Sequence, residues 1–495
     1  MPSRLPLRAT ARRAVICFAL AGAPPLAAQE SSAPPQPLTL QQAIGLALGQ
    51  GYQARAAAAT RDAARYTHRA FTGSLLPQLS VRGTVPAYNR SIIQVLQPDG
   101  STLFRAQDQT STALTATLSQ TLPITGGNLF VRSSLSRLAV TGQQEIRTWS
   151  SAPVEVGLTQ PLLRPNASAW DRRVEAVQSD LAERQYREAE EDIALRVTNL
   201  FFDVYTAQVA LATATANAAR NDTLYTLNTA RLEIGRIGEN DLLQSELALL
   251  RARTALDAAK LEYQRTVAAL RLALNLAPDA PVEIVAPADV PVLDPDTARA
   301  VAEALANRAV VTDLELQDVQ ARRRVTEAKL NNWFGGTLQA SFGFNATGSE
   351  LDLAYRNLLE AQRLTFSVEL PLVQWGVRKG SVEAAEADRE RVAHVARATL
   401  EETAHNARFA ALDLSQARRN LALSAKGDTV AGKRFEVAYN RYLIGRITLD
   451  NLFIAQNEQD QARTQYVQAL RRYWQAYYTL RRTTLFDFEN GREIR

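Results

Sequence analysis

The 495-residue sequence is poor in the residues that form disulfides and bind metals: it has one cysteine, one methionine and three histidines. A single cysteine excludes internal disulfides and sites held by several thiolates. No segment after residue 28 has about 18 apolar residues in succession, so no membrane-spanning helix is expected. Proline is absent from residues 166–277, which permits very long helices there.

Residues 1–28 have the organisation of a cleaved secretory signal, with a basic start, an apolar middle and small residues before position 29. Cleavage would remove four arginines and no acids, which lowers the formal charge from +5 to +1. The high isoelectric point therefore gives no reason to expect nucleic-acid binding. Cys17 lies inside the apolar middle, and the residues before it form a poor lipid-attachment motif, so lipidation is the less favoured alternative.

One motif occurs twice: Ile-Gly-Arg-Ile stands at 234–237 and again at 444–447. The spacing of 210 residues persists beyond the motif, since Ala252, Tyr263 and Leu270 are each followed by the same residue 210 positions later. A constant offset over such a span predicts an internal duplication.

Each copy of the motif is predicted to form the tip of a helical hairpin. Gly235 and Gly445 lie where a helix C-terminal stop is expected, and Asp241 and Asn451 lie near the next helix start. At 1.5 Å per residue the helices before the tips are about 100 Å long and those after them about 55 Å. The helical patterns cover residues 38–72, 166–235, 239–276, 297–331, 378–444 and 448–484.

Between the helices the apolar residues alternate with period two, which predicts β-strands with one apolar face. The first copy holds about 47 more residues between its strands than the second. Residues 86–110 and 345–362 are polar and predict exposed loops. The strand patterns cover residues 79–85, 114–118, 128–139, 154–161, 338–344 and 366–372.

Four to six strands in one chain cannot close a barrel, and open strand edges cannot lie in lipid. Single-chain barrels begin at about eight strands. Three chains with four strands each would supply twelve, so a symmetric trimer solves the edge problem.

These residues resemble the outer membrane efflux protein family, the TolC-like channels. The resemblance rests on Leu38-Thr-Leu-Gln-Gln-Ala43, on Gln160-Pro-Leu-Leu163 with its counterpart Leu370-Pro-Leu-Val373, on the doubled tip and on residues 439–480. It implies a mainly α fold with β: a trimeric α-barrel of long coiled-coil helices joined to an outer-membrane β-barrel, built from two internal repeats per chain.

The resemblance also implies a function and partners. The chain would form a homotrimer in outer-membrane lipid with a long periplasmic extension. It would act as the passive exit duct of a tripartite efflux or type I secretion system, joined by a periplasmic adaptor (membrane fusion protein) to an inner-membrane pump. Two alternatives are a periplasmic adaptor, which would show one hairpin in a β module, and a trimeric coiled-coil surface stalk, which would lack the duplication.

The predicted division of the chain follows the duplication. It runs: signal peptide 1–28; disordered lead-in 29–37; first repeat 38–276, with strands about 75–163 and its tip at 234–241; equatorial crossing segment 277–296; second repeat 297–485, with strands about 335–373 and its tip at 444–451; C-terminal tail 486–495.

Two groups of site residues are predicted at the tips. The expected adaptor-docking residues are Ile234, Gly235, Arg236, Asp241, Ile444, Gly445 and Arg446. The expected pore constriction is formed by Asp450, Asn451 and Ile454. Members of the family often carry an acid six residues after the tip glycine; Asp241 matches this pattern, whereas the second copy has Asn451 there and Asp450 one place early.

Motifs for catalysis are weak, so the sequence predicts no enzyme, no cofactor and no metal site. Residues 427–433 resemble a phosphate-binding loop, but Arg434 stands where Ser or Thr would hold magnesium, and no strand precedes the segment. His394 and His405 are about 16 Å apart along one helix, too far to share a metal. Energy for transport would therefore come from a partner.

Overall fold

The computed structural model describes residues 37–96, 98–141, 145–287 and 289–494. The predicted signal peptide with Cys17, and residues 29–36 of the predicted disordered lead-in, lie outside these residues. None of the described helices is both long enough and apolar enough to cross a membrane.

The α-helices of the described residues form two sets of four whose lengths match in pairs: 11, 23, 67 and 36 residues. The starts of the first two helices precede their counterparts by 257 residues, and those of the next two by 210. Equal lengths at constant offsets are what an internal duplication produces. The helices are α1 Leu40–Gln50, α2 Tyr52–Ser74, α3 Ala167–Glu233, α4 Glu239–Leu274, α5 Thr297–Asn307, α6 Ala309–Asn331, α7 Val377–Leu443 and α8 Leu449–Thr484.

The prediction of one continuous helix over 38–72, and of another over 297–331, is wrong. Each is broken by one extended residue, Gly51 and Arg308, with ψ of 144° and 138°. Glycine is unfavourable inside a helix, so Gly51 weakly indicated the first break. Arginine is a good helix former, so Arg308 gave no indication of the second. The second break depends on α3, because Glu188 accepts hydrogen bonds from Arg308 Nε at 2.7 Å and from the Ala309 amide at 3.0 Å.

Six strands form one antiparallel sheet in which every strand pairs with the next along the chain. Four strands come from the first half of the chain and two from the second, so the additional residues of the first half form two further strands. Six strands is the upper end of the predicted range of four to six, so three chains would supply eighteen strands rather than twelve. The strands are β1 Gln78–Leu96, β2 Thr102–Thr121, β3 Asn128–Thr141, β4 Ile146–Leu162, β5 Gly335–Gly348 and β6 Leu359–Glu369.

The prediction of long exposed loops at 86–110 and 345–362 is also wrong. β1 and β2 remain paired from Ala87↔Ser111 to Leu96↔Thr102, which leaves only a tight turn between them. The alternation of apolar residues did not predict this two-stranded ribbon, because many of its residues are polar and neither of its faces is buried. In the second half, β5 ends at residue 348 and β6 begins at 359, so the loop is shorter than predicted.

The largest buried cluster lies where the short helices meet the long ones. It joins residues of α1, α3, α4, α7 and α8, and residues 277–296 pack against it through Ile284. The chain start is bound to this crossing segment, since the Leu38 amide donates to the Glu283 carbonyl at 2.7 Å. The predicted C-terminal tail is ordered as far as residue 494, with a short hairpin of β7 Phe486–Asp487 and β8 Arg492–Glu493.

Candidate membrane surface and hairpin tips

One face of the six-stranded sheet is apolar, and we call it the apolar face. The pairing register places Leu79, Leu118, Val131, Val156 and Phe342 in a single row across five strands. Apolar side chains on this face are exposed even though they are large. They are Leu79, Val81, Leu114, Leu118, Leu129, Val131, Val154, Val156, Phe342, Phe344, Leu364, Phe366 and Val368.

The opposite face of the sheet is polar. One row on it runs through Ser80, Thr117, Arg132 and Glu155, the last two forming an ion pair at 3.7 Å. An apolar face backed by a polar one is the arrangement of a strand that separates lipid from water. β1 and β2, with 19 and 20 residues, are about twice as long as the 9–11 residues needed to cross a membrane.

The sheet is open at both ends. Within the described residues, β1 pairs only with β2 and β6 pairs only with β5. Their outer edges present unpaired backbone donors and acceptors, which are costly in lipid and a template for pairing with another chain.

The two hairpin tips have the same backbone geometry. Gly235 and Gly445 both have φ of +71°, in the left-handed region that favours glycine. The amide of the next residue bonds the carbonyl five positions back, Arg236 to Arg231 at 2.8 Å and Arg446 to Arg441 at 2.9 Å. Together with the glycine amide bonds to Leu232 and Tyr442, this is a Schellman C-cap at each tip.

The predicted docking residues lie together at the ends of the hairpins, and most are exposed. Ile234 and Ile444 expose 68% and 66% of their surface. Arg236 and Arg446 are exposed and form no ion pair with the described residues, whereas Asp241 is half-buried at the start of α4. A Cβ added at either tip glycine would meet no atom within 4 Å. The tips therefore present an open turn flanked by an apolar residue and a free cation.

Contacts that sequence analysis missed join the two tips. Arg231 donates to the Leu443 carbonyl at 3.0 Å and stacks 5.2 Å from the Tyr442 ring centroid. The Tyr442 hydroxyl donates to Asn228 at 2.8 Å, in a small buried cluster with Leu224 and Leu452. The duplicated motif could not predict these contacts, because Asn228 and Tyr442 are not at equivalent positions in the two copies.

The predicted constriction residues lie on the first turns of α8, and all three are exposed. Asp450 accepts a hydrogen bond of 2.6 Å from Gln244 of α4, so its carboxylate also links the tips. The Asn451 amide group donates to the Thr448 hydroxyl at 3.0 Å, while Ile454 is half-exposed. The carboxylate, the amide and the apolar side chain are thus presented side by side.

A groove between α3, α4 and α8 lies above the tips and contains Asp460. Its carboxylate accepts a hydrogen bond of 2.7 Å from Asn217. Burial raises the pKa of Asp460 above its usual value, and the hydrogen bond from Asn217 and the charge of Arg220 offset this only in part. The described residues contain no group of three or more His, Cys, Asp or Glu placed to hold a metal ion.

Residues 128–276, which span β3, β4 and the first long hairpin, match the family described as outer membrane efflux protein. These residues thus have the sequence pattern of an outer membrane efflux protein domain. The match confirms the resemblance inferred from the sequence and the predicted location in the outer membrane. No curated protein sequence matches the chain.

Several solved structures share the fold of most of this chain. The CmeC outer membrane channel of Campylobacter jejuni aligns with a TM-score of 0.65 at 16% identity, over 92% of this chain and 86% of that one. VceC of Vibrio cholerae aligns with 0.65 at 15% identity, over 92% and 97%. The open MtrE channel of Neisseria gonorrhoeae aligns with 0.62 at 14% identity, over 92% and 90%. The predicted mainly α fold with β is confirmed.

Proposed function

We propose that the chain is one subunit of a passive homotrimeric exit duct, which crosses the outer membrane and meets a periplasmic adaptor at its hairpin tips. One observation carries the proposal: a sheet with an exposed apolar face continues directly into two 67-residue helices with matching, exposed glycine tips. At 1.5 Å per residue each long helix reaches about 100 Å from the sheet.

Trimer formation follows from the open sheet edges. Pairing β6 of one copy with β1 of the next would satisfy both edges, and three copies would close the sheet with eighteen strands. Barrels of 16–18 strands enclose a water-filled channel, which suits the polar face lined by Arg132 and Glu155. The apolar face would then meet lipid all round.

The duct requires an external energy source in this proposal. Residues 427–433, which resemble a phosphate loop in sequence, lie inside helix α7 and form no loop. An inner-membrane pump, connected through the adaptor, would supply the energy and the cargo.

The tips are the part of the chain farthest from the sheet, so an adaptor from the inner membrane meets them first. A helical hairpin of the adaptor could approach Gly235 or Gly445 closely, because no side chain intervenes. Arg236 and Arg446 could donate several hydrogen bonds to its carbonyl or carboxylate groups. At the same level Asp450, Asn451 and Ile454 would narrow the mouth of the duct.

Export measurements with tip variants test the proposal. Gly235→Glu and Gly445→Glu together add bulk and negative charge at both tips. We expect a normally inserted trimer that exports poorly and crosslinks weakly to its adaptor. Gly235→Ala with Gly445→Ala carries the same backbone strain without the charge, and Gly427→Glu places the same charge on an exposed position of α7 away from the tip.

The two control variants distinguish a loss of adaptor docking from a defect in folding or trimer formation. Both controls should keep export close to that of the unmodified chain. Full export by the double Glu variant, at unchanged trimer level, would contradict docking at the tips. Loss of the trimer in the double Ala variant would show that the glycines serve only to end their helices.

A further inference from the structure

The chain leaves the sheet through a short apolar segment between β6 and α7. The alternating apolar residues of β6 continue past the strand, since Leu370 and Leu372 are exposed at 57% and 85%. Trp375 follows and is 95% exposed. Its φ of +47° lies in the left-handed region, which is unfavourable for a bulky residue. An exposed tryptophan held in such a backbone conformation points to a role outside the packed core.

A cavity of about 750 Å³ lies beside Trp375, between the end of α6 and the start of α7. Trp333 and Arg378 line it, and the guanidinium carbon of Arg378 lies 3.6 Å from the Trp333 ring centroid. The Arg378 Nε is buried and has no hydrogen-bond partner among the described residues. The guanidinium is thus held in orientation by stacking, and none of its nitrogens bonds to a described residue.

The other charges around this cavity are already paired. Lys329 lies 2.7 Å from Glu386, and Lys379 lies 3.7 Å from Glu383. Arg378 forms no ion pair with any described residue. The charge available to a ligand is therefore positive, and α7 adds to it because its N-cap, Gly376, provides no side-chain cap.

We propose that Trp333, Trp375 and Arg378 form a binding site for the phosphate of an anionic phospholipid in the periplasmic leaflet of the outer membrane. We call it the basal tryptophan site. It rests on the proposed orientation of the sheet in the membrane. Arg378 binds the phosphate oxygens, and Trp375 lies among the headgroups beside the acyl chains.

The position of the site identifies its ligand as lipid. It continues the apolar face of β6 at the end of the sheet that joins the helices. Tryptophan is enriched where a membrane protein passes from hydrocarbon to water. Arginine suits phosphate because its planar group can donate two parallel hydrogen bonds. An adaptor at the tips would act about 100 Å away, at the other end of α7.

Lipid binding to the purified, detergent-solubilised protein tests the site. Native mass spectrometry with phosphatidylglycerol should show about fivefold weaker binding for Arg378→Gln. The matched control, Arg419→Gln, removes an exposed arginine farther along α7 and should bind as the unmodified chain does. Equal binding by Arg378→Gln and the control would overturn the proposal. So would equal competition by inorganic phosphate, which would indicate a site for the free ion.

A fluorescence measurement tests the placement of Trp375 independently of the charge. In vesicles of phosphatidylglycerol brominated near the headgroup, Trp375→Phe should remove a quenched component of the emission. If quenching is unchanged in this variant, Trp375 does not contact lipid. Fractionation separates this result from failure of the proposed function: protein found outside the outer membrane defeats both proposals, whereas inserted protein without the quenched component defeats only the basal tryptophan site.

Discussion

The Tyr442 hydroxyl donates a hydrogen bond of 2.8 Å to the Asn228 side-chain oxygen, and both residues are buried where the two hairpins meet. The Asn228 amide nitrogen has no partner among the described residues. The bond from Tyr442 is therefore the only hydrogen bond that the buried Asn228 side chain makes with the described residues. It fixes α3 against α7 close to the tips and so sets the spacing of the two glycine turns.

Replacing Tyr442 by phenylalanine should loosen the tips. The change leaves the buried Asn228 amide without any partner, at a cost of about 1–3 kcal/mol. We expect hydrogen exchange in residues 440–452 to be about tenfold faster or more. Tyr439→Phe is the matched control, because Tyr439 packs against the same cluster but its hydroxyl makes no hydrogen bond to the described residues. Equal exchange in the two variants would show that the contact does not hold the tips.

Local patterns explain which parts of the fold could be predicted. The long helices and both tips follow from helical periodicity and from one glycine per tip, and the structure has them within a few residues of the expected positions. The strands of the apolar face follow from alternation. The polar ribbon formed by the paired ends of β1 and β2 could not be predicted, because alternation is visible only where one face is apolar.

Contacts between distant residues explain what the sequence missed. The break at Arg308 depends on Glu188, 120 positions earlier, and the bond of Gln244 to Asp450 joins residues 206 apart. No local propensity encodes such pairs. The docking and constriction residues could be located by their spacing from the tip glycines, but their roles stay predictions.

Asn451→Asp should change ion selectivity if the tips form the constriction. A second carboxylate beside Asp450 would create a ring of six acids in the trimer, which favours cations. Single-channel recordings should show stronger cation selectivity than the unmodified protein gives. Glu458→Gln is a control on the same helix that removes an acid outside the predicted constriction. Unchanged selectivity in Asn451→Asp would place this residue away from the narrowest point.

Deleting residues 102–141 removes β2 and β3 and should leave a narrower barrel. β1 and β4 carry Leu79 and Val156 in the same row, so they can pair directly without changing which face is apolar. Because barrel diameter grows roughly linearly with strand number, twelve strands should give a ring about one third smaller. Electron microscopy of the purified trimer measures this diameter. A ring of unchanged size would mean that β2 and β3 do not belong to the wall.

The pH dependence of stability should contain a contribution from Asp460. Burial raises its pKa in the folded state, so the folded protein holds this proton more tightly than the unfolded chain. The contribution to the free energy of unfolding therefore falls as pH rises from the usual aspartate pKa to the raised value, and stays low above it.

Asp460→Asn should remove this dependence. The amide can keep a hydrogen bond to Asn217 without the buried charge, so the variant should be more stable than the unmodified chain at pH 7. Melting curves between pH 4 and pH 7 should show an advantage that increases with pH. Asp257→Asn, at an exposed carboxylate of α4, should show no such trend. An advantage independent of pH would rule out the titration of Asp460 as the cause.

Disulfide crosslinking between the sheet edges tests closure of the barrel by three chains most directly. Removal of the signal peptide would leave no native cysteine, so a cysteine can be placed at Phe366 of β6 and paired in turn with one at Leu79 or Val81 of β1. Oxidation in outer membranes should give covalent dimers and trimers, because each β6 meets the β1 of a neighbouring copy. A product that remains monomeric, whether uncrosslinked or crosslinked within one chain, would contradict the trimeric barrel.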